Sequence, residues 1–223
     1  ILKDIFGDLA FKSDFALGAV NSVNWARILA QTVYYFKAAF EVIGQTGAEK
    51  AAFTVPTGNF GDVFAGYVAW RMGAPIEKLV LATNENDILH RFFQTGDYSR
   101  GEVAQTLSPA MDIQVSSNFE RWLYYHLDGN AAKVAELLET FKKTGAMRLD
   151  KPENGCFDTI LRSGKGDTEL TLATIKNMWD NHEYLLDPHT AVGVGVADQF
   201  MTDGIPMVCL ATAHPAKFKD AII

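Results

Sequence analysis

Short apolar runs, polar turns and amphipathic stretches alternate along most of this chain. In the segment 19–44 the apolar residues recur at steps of three and four, which predicts a helix buried on one face and ended by Gly44. The segment 131–143 repeats this helical pattern, and Gly145 follows it as a stop signal. Strands are predicted where short apolar runs lead into polar turns, at 51–55, 79–82, 111–115 and 207–211.

Strands that alternate with helices indicate an α/β fold with a mainly parallel, twisted sheet flanked by helices. Ligands of such sheets bind beyond the edge at which the carboxyl ends of the strands meet. We therefore expect the polar turns after the predicted strands to lie together and to form the ligand site. The segment 150–167 is rich in Gly, Lys and Asp, and we predict that it forms a mobile surface insertion.

The stretch TVPTGNFGD, residues 54–62, has the order strand, glycine loop, helix. Gly58 and Gly61 allow backbone angles that other residues avoid, and they let a ligand approach the main chain closely. The amides that open the following helix favour an anion, most often a phosphate. A second interpretation is an ordinary strand-to-helix turn, in which Asp62 is the N-cap or a first-turn residue and the glycines serve only the geometry. The stretch matches neither Walker A nor G-x-G-x-x-G, so the expected phosphate belongs to another kind of cofactor.

Composition narrows the classes of function. With 48% apolar residues, the 223-residue chain can bury a substantial core. Its 27 acidic and 20 basic residues give a net charge of −7, which opposes binding to nucleic acid or to an anionic membrane. Cys156 and Cys209 lie far apart and are expected to be reduced thiols, as in the cytoplasm. No apolar stretch has the length of a membrane span, so no membrane partner is predicted.

Six stretches, in this order, resemble the signatures of one family: GAVNSVNWARI, PTGNFGD, ATNEND, SPAMDIQVSSNFER, DPHTAVG and ATAHPAKF. The family is that of the threonine synthases, pyridoxal phosphate (PLP) enzymes of the tryptophan-synthase-β-like fold, or fold type II. Its members convert O-phospho-L-homoserine and water to L-threonine and phosphate, by γ-elimination and addition of water at the β carbon. The resemblance implies this fold, PLP as cofactor and O-phospho-L-homoserine as substrate.

The resemblance also implies roles for individual residues. The glycine loop would hold the cofactor phosphate through Thr57, Gly58, Asn59, Phe60, Gly61 and Asp62. The hydroxyl of Thr212 would lie against the pyridine nitrogen, and a strand-end cap is the alternative role of this residue. The phosphate of the substrate would be bound by Asn21, Ser22, Asn24 and Arg27. The alternative there is helix capping by Ser22 or Asn24 beside an exposed arginine.

Other polar residues keep two interpretations. Four residues of one turn face either the site or another part of the chain: Ser116, Ser117, Asn118 and Arg121. The residues 84–87 either line the cofactor side of the cleft or build a turn. His189 and His214 either assist proton transfer or bond to neighbouring backbone groups. The five histidines lack the spacing of metal ligands, so no metal is predicted.

The Schiff-base lysine of the family lies in a Ser/Thr-Phe-Lys-Asp motif, well before the first matched stretch. Lys3 and Lys219 have superficially similar neighbours but not the expected context, so neither is assigned a catalytic role. We therefore expect this lysine upstream of Ile1 and assign no catalytic residue within this chain. On this interpretation residues 1–223 are a portion of the large PLP-binding domain, without the N-terminal region and inactive alone.

Two other functions compete with this interpretation. A serine or threonine dehydratase of the same fold type would share the glycine loop and the hydroxyl, but it would not need a second phosphate pocket. The stretch NSVNWAR therefore favours a threonine synthase. A non-catalytic relative that binds PLP or a phosphorylated metabolite would account for the missing lysine. Family members occur as monomers and dimers, so we expect a cytoplasmic monomer or homodimer.

Overall fold

The computed structural model of this chain describes residue 5, residues 8–17 and residues 21–221. The described strands are β1 (Ala51–Pro56), β2 (Ile76–Thr83), β3 (Asp97–Ser99), β4 (Ala146–Arg148), β5 (Leu161–Lys165) and β6 (Met207–Cys209). The described helices are α1 (Leu9–Asp14), α2 (Trp25–Thr46), α3 (Gly61–Arg71), α4 (Ile88–Thr95), α5 (Phe119–His126), α6 (Ala131–Thr144), α7 (Thr168–His182) and α8 (Pro188–Ala197).

The main sheet has the strand order β5-β2-β1-β6, and its neighbouring strands are parallel. In its middle, Thr54 of β1 lies opposite Val80 of β2 on one side and Cys209 of β6 on the other. β3 and β4 form a separate antiparallel pair. The predicted α/β fold with a parallel sheet is therefore confirmed. The strand predicted at 207–211 is shorter and less buried than expected, because β6 is a half-buried edge strand.

Helices cover both faces of the sheet, as alternate residues of β2 demonstrate. Leu79 and Leu81 belong to the larger core cluster, together with residues of α2, α3 and α4. Val80 and Ala82 belong to a second cluster, which contains Val192 of α8. Successive side chains of a strand point to opposite faces, so β2 is buried on both. This double burial accounts for the continuous apolar run Leu79–Ala82 within β2.

The long helix α2 packs one face on the sheet. Its buried residues recur at helical steps: Ile28, Thr32, Tyr35 and Ala39. The helix ends at Thr46, where Gly47 takes a left-handed conformation with φ of 73°. The predicted end at Gly44 is wrong, because this residue lies exposed inside the helix. A glycine lowers helix stability but need not end the helix when a left-handed position follows later.

The strand predicted at 111–115 is also wrong. Pro109–Met111 form one turn of 3-10 helix, and the following residues are irregular. The reason is a polar contact, since Asp112 Oδ1 accepts hydrogen bonds from Asn84 Nδ2 at 2.8 Å and from Thr106 Oγ1 at 2.7 Å. These bonds fold the segment back onto the loop after β2 instead of into the sheet.

The surface insertion predicted at 150–167 is wrong over its last part, because Leu161–Lys165 form β5 at the edge of the main sheet. Gly164 is buried in this strand, and a Cβ there would lie 2.4 Å from Cγ1 of Val196 in α8. The glycine therefore allows the helix to pack closely on the strand. In the sequence the same residue type indicates a loop, which is the source of the error.

Gly66 in α3 provides a test of the packing between α2, α3 and β2. A Cβ at this position would lie 2.6 Å from Cε1 of Tyr35 and 2.9 Å from Cδ2 of Leu79. We expect Gly66→Ala to lower the free energy of unfolding by about 1–3 kcal/mol, because the neighbours must shift. Denaturant unfolding followed by circular dichroism measures this change.

Gly44→Ala is the matched control, because no atom lies within 4 Å of the added Cβ in the interior of α2. We expect Gly44→Ala to raise the free energy of unfolding by about 0.5–1 kcal/mol, which is opposite in sign to the effect of Gly66→Ala. Equal effects of the two substitutions would contradict the close packing at Gly66.

Candidate functional site

The predicted phosphate loop, residues 57–62, runs from the end of β1 into the first turn of α3 at the carboxyl edge of the main sheet. At its start, the Thr57 N–H donates to the carbonyl oxygen of Ala82 at 2.8 Å. The Thr57 Oγ1 donates to the carbonyl oxygen of Val55 at 2.6 Å. Both donors of Thr57 are therefore engaged by the protein, and this residue anchors the loop to two strands.

The first turn of α3 carries amides without a side-chain cap. The residue at the N-cap is Phe60, whose ring has no hydrogen-bond acceptor. Among the described helices, five others have side-chain caps, formed by Asp8, Asn24, Asn130, Asp167 and Asp187, whereas α4 and α5 lack one as α3 does. Uncapped amides at a helix start, together with the positive end of the helix dipole, favour an anion. The uncapped amides support the anion-binding interpretation. Asp62 is not the cap but a first-turn residue of α3, which the second interpretation also included.

Neighbouring residues impose the shape of the loop. Phe60 has a φ of 63°, which is uncommon for a bulky residue. Its buried ring holds it there by stacking on Phe93, at 6.3 Å between centroids, and by meeting Phe119 edge-on at 5.9 Å. At Gly58 a Cβ would lie 2.8 Å from the carbonyl oxygen of Ala110. Only glycine fits this approach of two backbones without a shift.

A cleft of about 560 Å³ opens beside the loop. It unites most of the residues predicted for the site: Ser22, Arg27, Thr57, Gly58, Asn59, Phe60, Gly61, Asp62 and Thr212. Sequence reasoning missed six further residues of its lining: Gln31, Tyr34, Pro56, Val63, Leu210 and Ala211. Gln31 and Tyr34 follow Arg27 at helical steps, so the periodicity of α2 was the signal that could have found them.

Asn21 and Asn24 are not among the residues that line the cleft. The Asn21 side-chain oxygen accepts the Val23 N–H at 3.0 Å, and that of Asn24 accepts the Ala26 N–H at 2.9 Å to cap α2. The capping alternative is therefore confirmed for Asn24. Of the four residues predicted to bind the substrate phosphate, Ser22 and Arg27 reach the cleft. The side-chain oxygens of Asn21 and Asn24 instead hold the turn before α2.

A carboxyl group lies between α2 and the cleft. The Tyr35 hydroxyl donates to Asp62 Oδ1 at 3.0 Å and to the Asp62 carbonyl oxygen at 2.8 Å. Burial raises the pKa of Asp62 above its ordinary value, whereas the hydrogen bond from Tyr35 and the positive charge of Arg27 lower it. Burial also raises the pKa of Tyr35, and the Asp62 carboxylate raises it further. Tyr35 therefore keeps its proton and remains the donor.

Asn118, which is fully buried, ties two walls of the cleft together. Its Nδ2 donates to the carbonyl oxygens of Ser22 and Asn59, both at 2.9 Å. Its Oδ1 accepts from Nε of Arg121 at 3.1 Å, and Nη2 of Arg121 donates to the carbonyl oxygen of Val23 at 2.6 Å. The polar turn whose orientation the sequence left open therefore supports the site from behind.

The two serines of the same turn hold the glycine loop. Ser116 Oγ donates to the carbonyl oxygen of Gly58 at 3.1 Å, and the Ser116 N–H donates to the Tyr98 hydroxyl at 2.8 Å. Burial raises the pKa of Tyr98 to about 12, so this hydroxyl stays neutral. Ser117 Oγ donates to Asn59 Oδ1 at 3.1 Å, which orients the Asn59 amide. The loop is thus fixed at several successive residues.

Residues 84–87 build a turn and are not part of the cleft lining. Asn84 and Asn86 bond to Thr106, Ser108 and Asp112. Glu85 bonds to Thr168, and Asp87 bonds to Arg91 and Lys165. Of the two interpretations of this stretch, the turn is confirmed. The side-chain amides of Asn84 and Asn86 hold the segment 104–112 over the end of β2.

Both histidines beside the predicted site bond to backbone groups. His189 Nε2 accepts the Ala110 N–H at 3.2 Å, and His214 Nδ1 accepts the Ala216 N–H at 3.2 Å. His214 thereby caps the short 3-10 turn Pro215–Lys217. Neither side chain lines the cleft. The backbone-bonded interpretation is therefore confirmed for both residues.

Within residue 5, residues 8–17 and residues 21–221, no group of three or more His, Cys, Asp and Glu side chains is placed to hold a metal ion. None of the helices in these same ranges is both long and apolar enough to cross a membrane. Cys156 is exposed and Cys209 is half-buried, and both are free thiols. Burial raises the pKa of the Cys209 thiol, so this group stays protonated.

The contribution of Asn118 can be measured by Asn118→Leu. The change removes the side-chain donor to the part-buried carbonyl oxygens of Ser22 and Asn59, of which the second keeps the Asn118 N–H at 3.1 Å. We expect the free energy of unfolding to fall by about 1–3 kcal/mol. The control is Asn154→Leu, because Asn154 makes one exposed hydrogen bond, to the Cys156 N–H at 3.1 Å. For Asn154→Leu we expect the free energy of unfolding to change by no more than about 0.5 kcal/mol. A loss at Asn118 no larger than at Asn154 would refute this account.

Comparisons with known proteins agree along the whole chain. A family model described as "Threonine synthase, C-terminal" matches residues 190–223. The threonine synthase of Saccharomyces cerevisiae is 46% identical over 240 residues, which cover 100% of this chain and 47% of that protein. The threonine synthase of Pseudomonas aeruginosa is 46% identical over 229 residues, again 100% of this chain and 47% of that protein.

Solved structures agree in fold as well as in sequence. The PLP-bound threonine synthase from Brucella melitensis matches with a TM-score of 0.92 and 48% identity, over 99% of this chain and 47% of that one. The yeast threonine synthase matches with a TM-score of 0.89 and 44% identity, over 99% of this chain and 47% of that one. The chain spans about half the length of the relatives it matches. By sequence and by fold, the chain is similar to about half the length of these threonine synthases.

Proposed function

We propose that this chain supplies the phosphate-binding part of the active site of a threonine synthase, which converts O-phospho-L-homoserine and water to L-threonine and phosphate with PLP. The observation that carries the proposal is the single cleft lined by the glycine loop and Thr212 together with Ser22 and Arg27. The similarity to proteins named threonine synthase supports it. Because the chain spans about half of their length, the activity of the whole protein is part of the proposal.

The glycine loop fits the phosphate of PLP. The first-turn amides of α3 lack a side-chain cap, and the residues that carry them line the cleft. Asn59 turns its oxygen to Ser117, which leaves its Nδ2 as a second donor. We assign the phosphate to these groups, with Thr57 as the anchor of the loop. Asp62 contributes its N–H, since its carboxyl group is engaged by Tyr35.

Thr212 fits the pyridine end of the cofactor. PLP, when bound, supplies an electron sink for negative charge that develops on the substrate. Thr212 follows β6, is exposed and lines the cleft. Its hydroxyl, unlike a carboxylate, does not hold a ring nitrogen protonated. We propose that Thr212 in this way keeps the electron sink mild, which suits elimination and replacement at the substrate carbons.

The phosphate of the substrate is assigned to the wall formed by the start of α2. Exposed Arg27 offers a guanidinium fork that suits a phosphate group. Half-buried Ser22 offers a hydroxyl, which lies 3.4 Å from Ser117 Oγ and would turn from it to the phosphate. The carbonyl oxygen of Ser22 is held by Asn118, so the hydroxyl starts from a fixed backbone. Asn21 and Asn24 remain in the proposal, while their side-chain oxygens bond to main-chain N–H groups.

The lysine that attaches PLP is proposed to lie outside this chain. No lysine in the described ranges lines the cleft, which supports this assignment. Residues 1–223 are then a portion of the large PLP-binding domain and do not turn over substrate alone. We further propose a cytoplasmic enzyme, supported by the free thiols Cys156 and Cys209, that acts as a monomer or a homodimer.

Arg27→Ala in the full-length protein tests the substrate assignment. Loss of a charged hydrogen bond worth about 1.5–3 kcal/mol should raise KM for O-phospho-L-homoserine roughly 10- to 150-fold. The affinity for PLP should stay within about twofold of its original value, because Arg27 is not assigned to the cofactor. Steady-state release of inorganic phosphate and titration with PLP measure the two quantities.

The control is Lys37→Ala, which removes a positive charge from the exposed side of the same helix. Lys37 pairs with Glu41 at 2.7 Å and does not line the cleft. We expect no change in KM from this substitution. If the Arg27→Ala variant has the same KM for O-phospho-L-homoserine as the Lys37→Ala variant, the substrate assignment is overturned.

Gly58→Ala tests the cofactor loop. The added Cβ would meet the Ala110 carbonyl oxygen at 2.8 Å and the Met111 Cα at 3.3 Å, so the loop must shift. We expect the dissociation constant for PLP to rise at least about tenfold, which corresponds to about 1.4 kcal/mol. Absorbance titration of the full-length apoprotein measures it, with Gly44→Ala as the control. Binding of PLP within twofold of the original affinity would contradict the assignment of the loop.

A further inference from the structure

The buried carboxylate of Asp187 starts helix α8 and is only 2% exposed. Its Oδ1 accepts the His189 N–H at 2.9 Å and the Thr190 N–H at 3.4 Å. Its Oδ2 accepts a short hydrogen bond from Thr190 Oγ1. Burial raises the pKa of Asp187, but the hydrogen bonds from His189 and Thr190 outweigh it and lower the pKa below its ordinary value. The group therefore stays charged inside the protein.

One arm of this network reaches Thr212. Thr190 Oγ1 donates its hydrogen to Asp187 and so presents lone pairs on its other side. The Thr212 N–H donates to this oxygen at 3.1 Å. A backbone N–H can only donate, so Thr190 Oγ1 is the acceptor in this bond. Asp187 accepts the single hydroxyl hydrogen and thereby fixes the rotation of the hydroxyl, which leaves a lone pair for the Thr212 N–H. The backbone of Thr212 is thereby held in place from outside the cleft.

The other arm reaches the glycine loop. His189 Nε2 accepts the Ala110 N–H at 3.2 Å, so the ring hydrogen lies on Nδ1 and is donated to Asp187 at 2.9 Å. The Ala110 carbonyl oxygen is the atom that a Cβ on Gly58 would meet at 2.8 Å. His189 therefore holds the backbone on which the loop rests. One carboxylate is thus linked to both groups that we assign to the cofactor.

We propose that Thr190 is a positioning residue of the cofactor site: its hydroxyl, oriented by Asp187, sets the place of the Thr212 hydroxyl at the pyridine nitrogen. This inference rests on the proposed function of Thr212. Neither Asp187 nor Thr190 lines the cleft, so both act through the residues they hold. Their effect should appear in the electronic state and affinity of bound PLP and not only in the stability of the fold.

The test uses Thr190→Val, which keeps the shape of the side chain and removes its hydroxyl, in the full-length protein with PLP. The dissociation constant for PLP should rise about tenfold, and the absorption and fluorescence bands of the bound cofactor should shift. Thr190→Ser restores the hydroxyl and should bring both quantities to within about twofold of the original. Thr190→Ala serves as the second variant if Thr190→Val does not fold.

Thr171→Val is the matched control. Thr171 is buried like Thr190, but its Oγ1 donates to the Asp167 carbonyl oxygen at 2.7 Å within the first turn of α7. This substitution should lower Tm without a change in the affinity or spectrum of PLP. If Thr190→Val and Thr190→Ala also lower only Tm, or if Thr171→Val reproduces their spectral shift, the positioning role is overturned.

A double-mutant cycle with Thr212→Val separates this inference from the proposed function. If Thr190 acts through the Thr212 hydroxyl, Thr190→Val should change the spectrum and affinity much less in the Thr212→Val background. Full additivity would overturn the positioning role while the assignment of Thr212 stands. If Thr212→Val alone changes neither quantity, the proposed function of Thr212 fails, and the inference fails with it.

Discussion

The parallel pairing of β1 with both β2 and β6 is the constraint on which the site depends. Because the three strands run in one direction, the turns that follow them emerge at one edge of the sheet. Hydrogen bonds continue the pairing beyond the strand ends, from the Leu210 N–H to Thr54 at 3.0 Å and from the Thr57 N–H to Ala82 at 2.8 Å. The glycine loop and Thr212, far apart in sequence, therefore become neighbours.

Two polar networks stiffen this edge from behind. Asn118 joins the glycine loop to the start of α2, and Asp187 joins Thr212 to the backbone that supports the loop. Over the described ranges, every buried side-chain nitrogen and oxygen has a hydrogen-bond partner. Fully satisfied networks in a medium of low dielectric constant hold one arrangement strongly. The groups that face the cleft are accordingly presented on fixed backbone.

The local charge of the cleft differs from that of the whole chain. The net charge is −7, yet the cleft combines uncapped helix amides with the guanidinium of Arg27. The carboxyl group of Asp62 shares this space, but Tyr35 donates to it. The two proposed phosphate sites are therefore compatible with an acidic protein. An overall charge limits the macromolecular partners and does not predict the sign of a single site.

The sequence by itself determined the features that depend on neighbouring residues. Helix α6, the strand–loop–helix order around Gly58 and the family signatures follow from local periodicity, from glycine geometry and from matched stretches. Local signals also misled. The segment 111–115, in which apolar and polar residues alternate, resembled a strand, and Gly164, which lies within β5, resembled a loop residue. Both errors arose where distant contacts override local preference.

Only the tertiary structure decided which polar residues meet. Asn118 contacts Ser22 and Asn59, and Thr190 contacts Thr212, through pairs that are widely separated along the chain. Such contacts are set by strand register and helix docking, which no local pattern encodes. The sequence therefore determined the chemistry that the chain offers. The packing of the sheet decided which groups face the cleft and which hold them there, because it alone fixes the distances between remote residues.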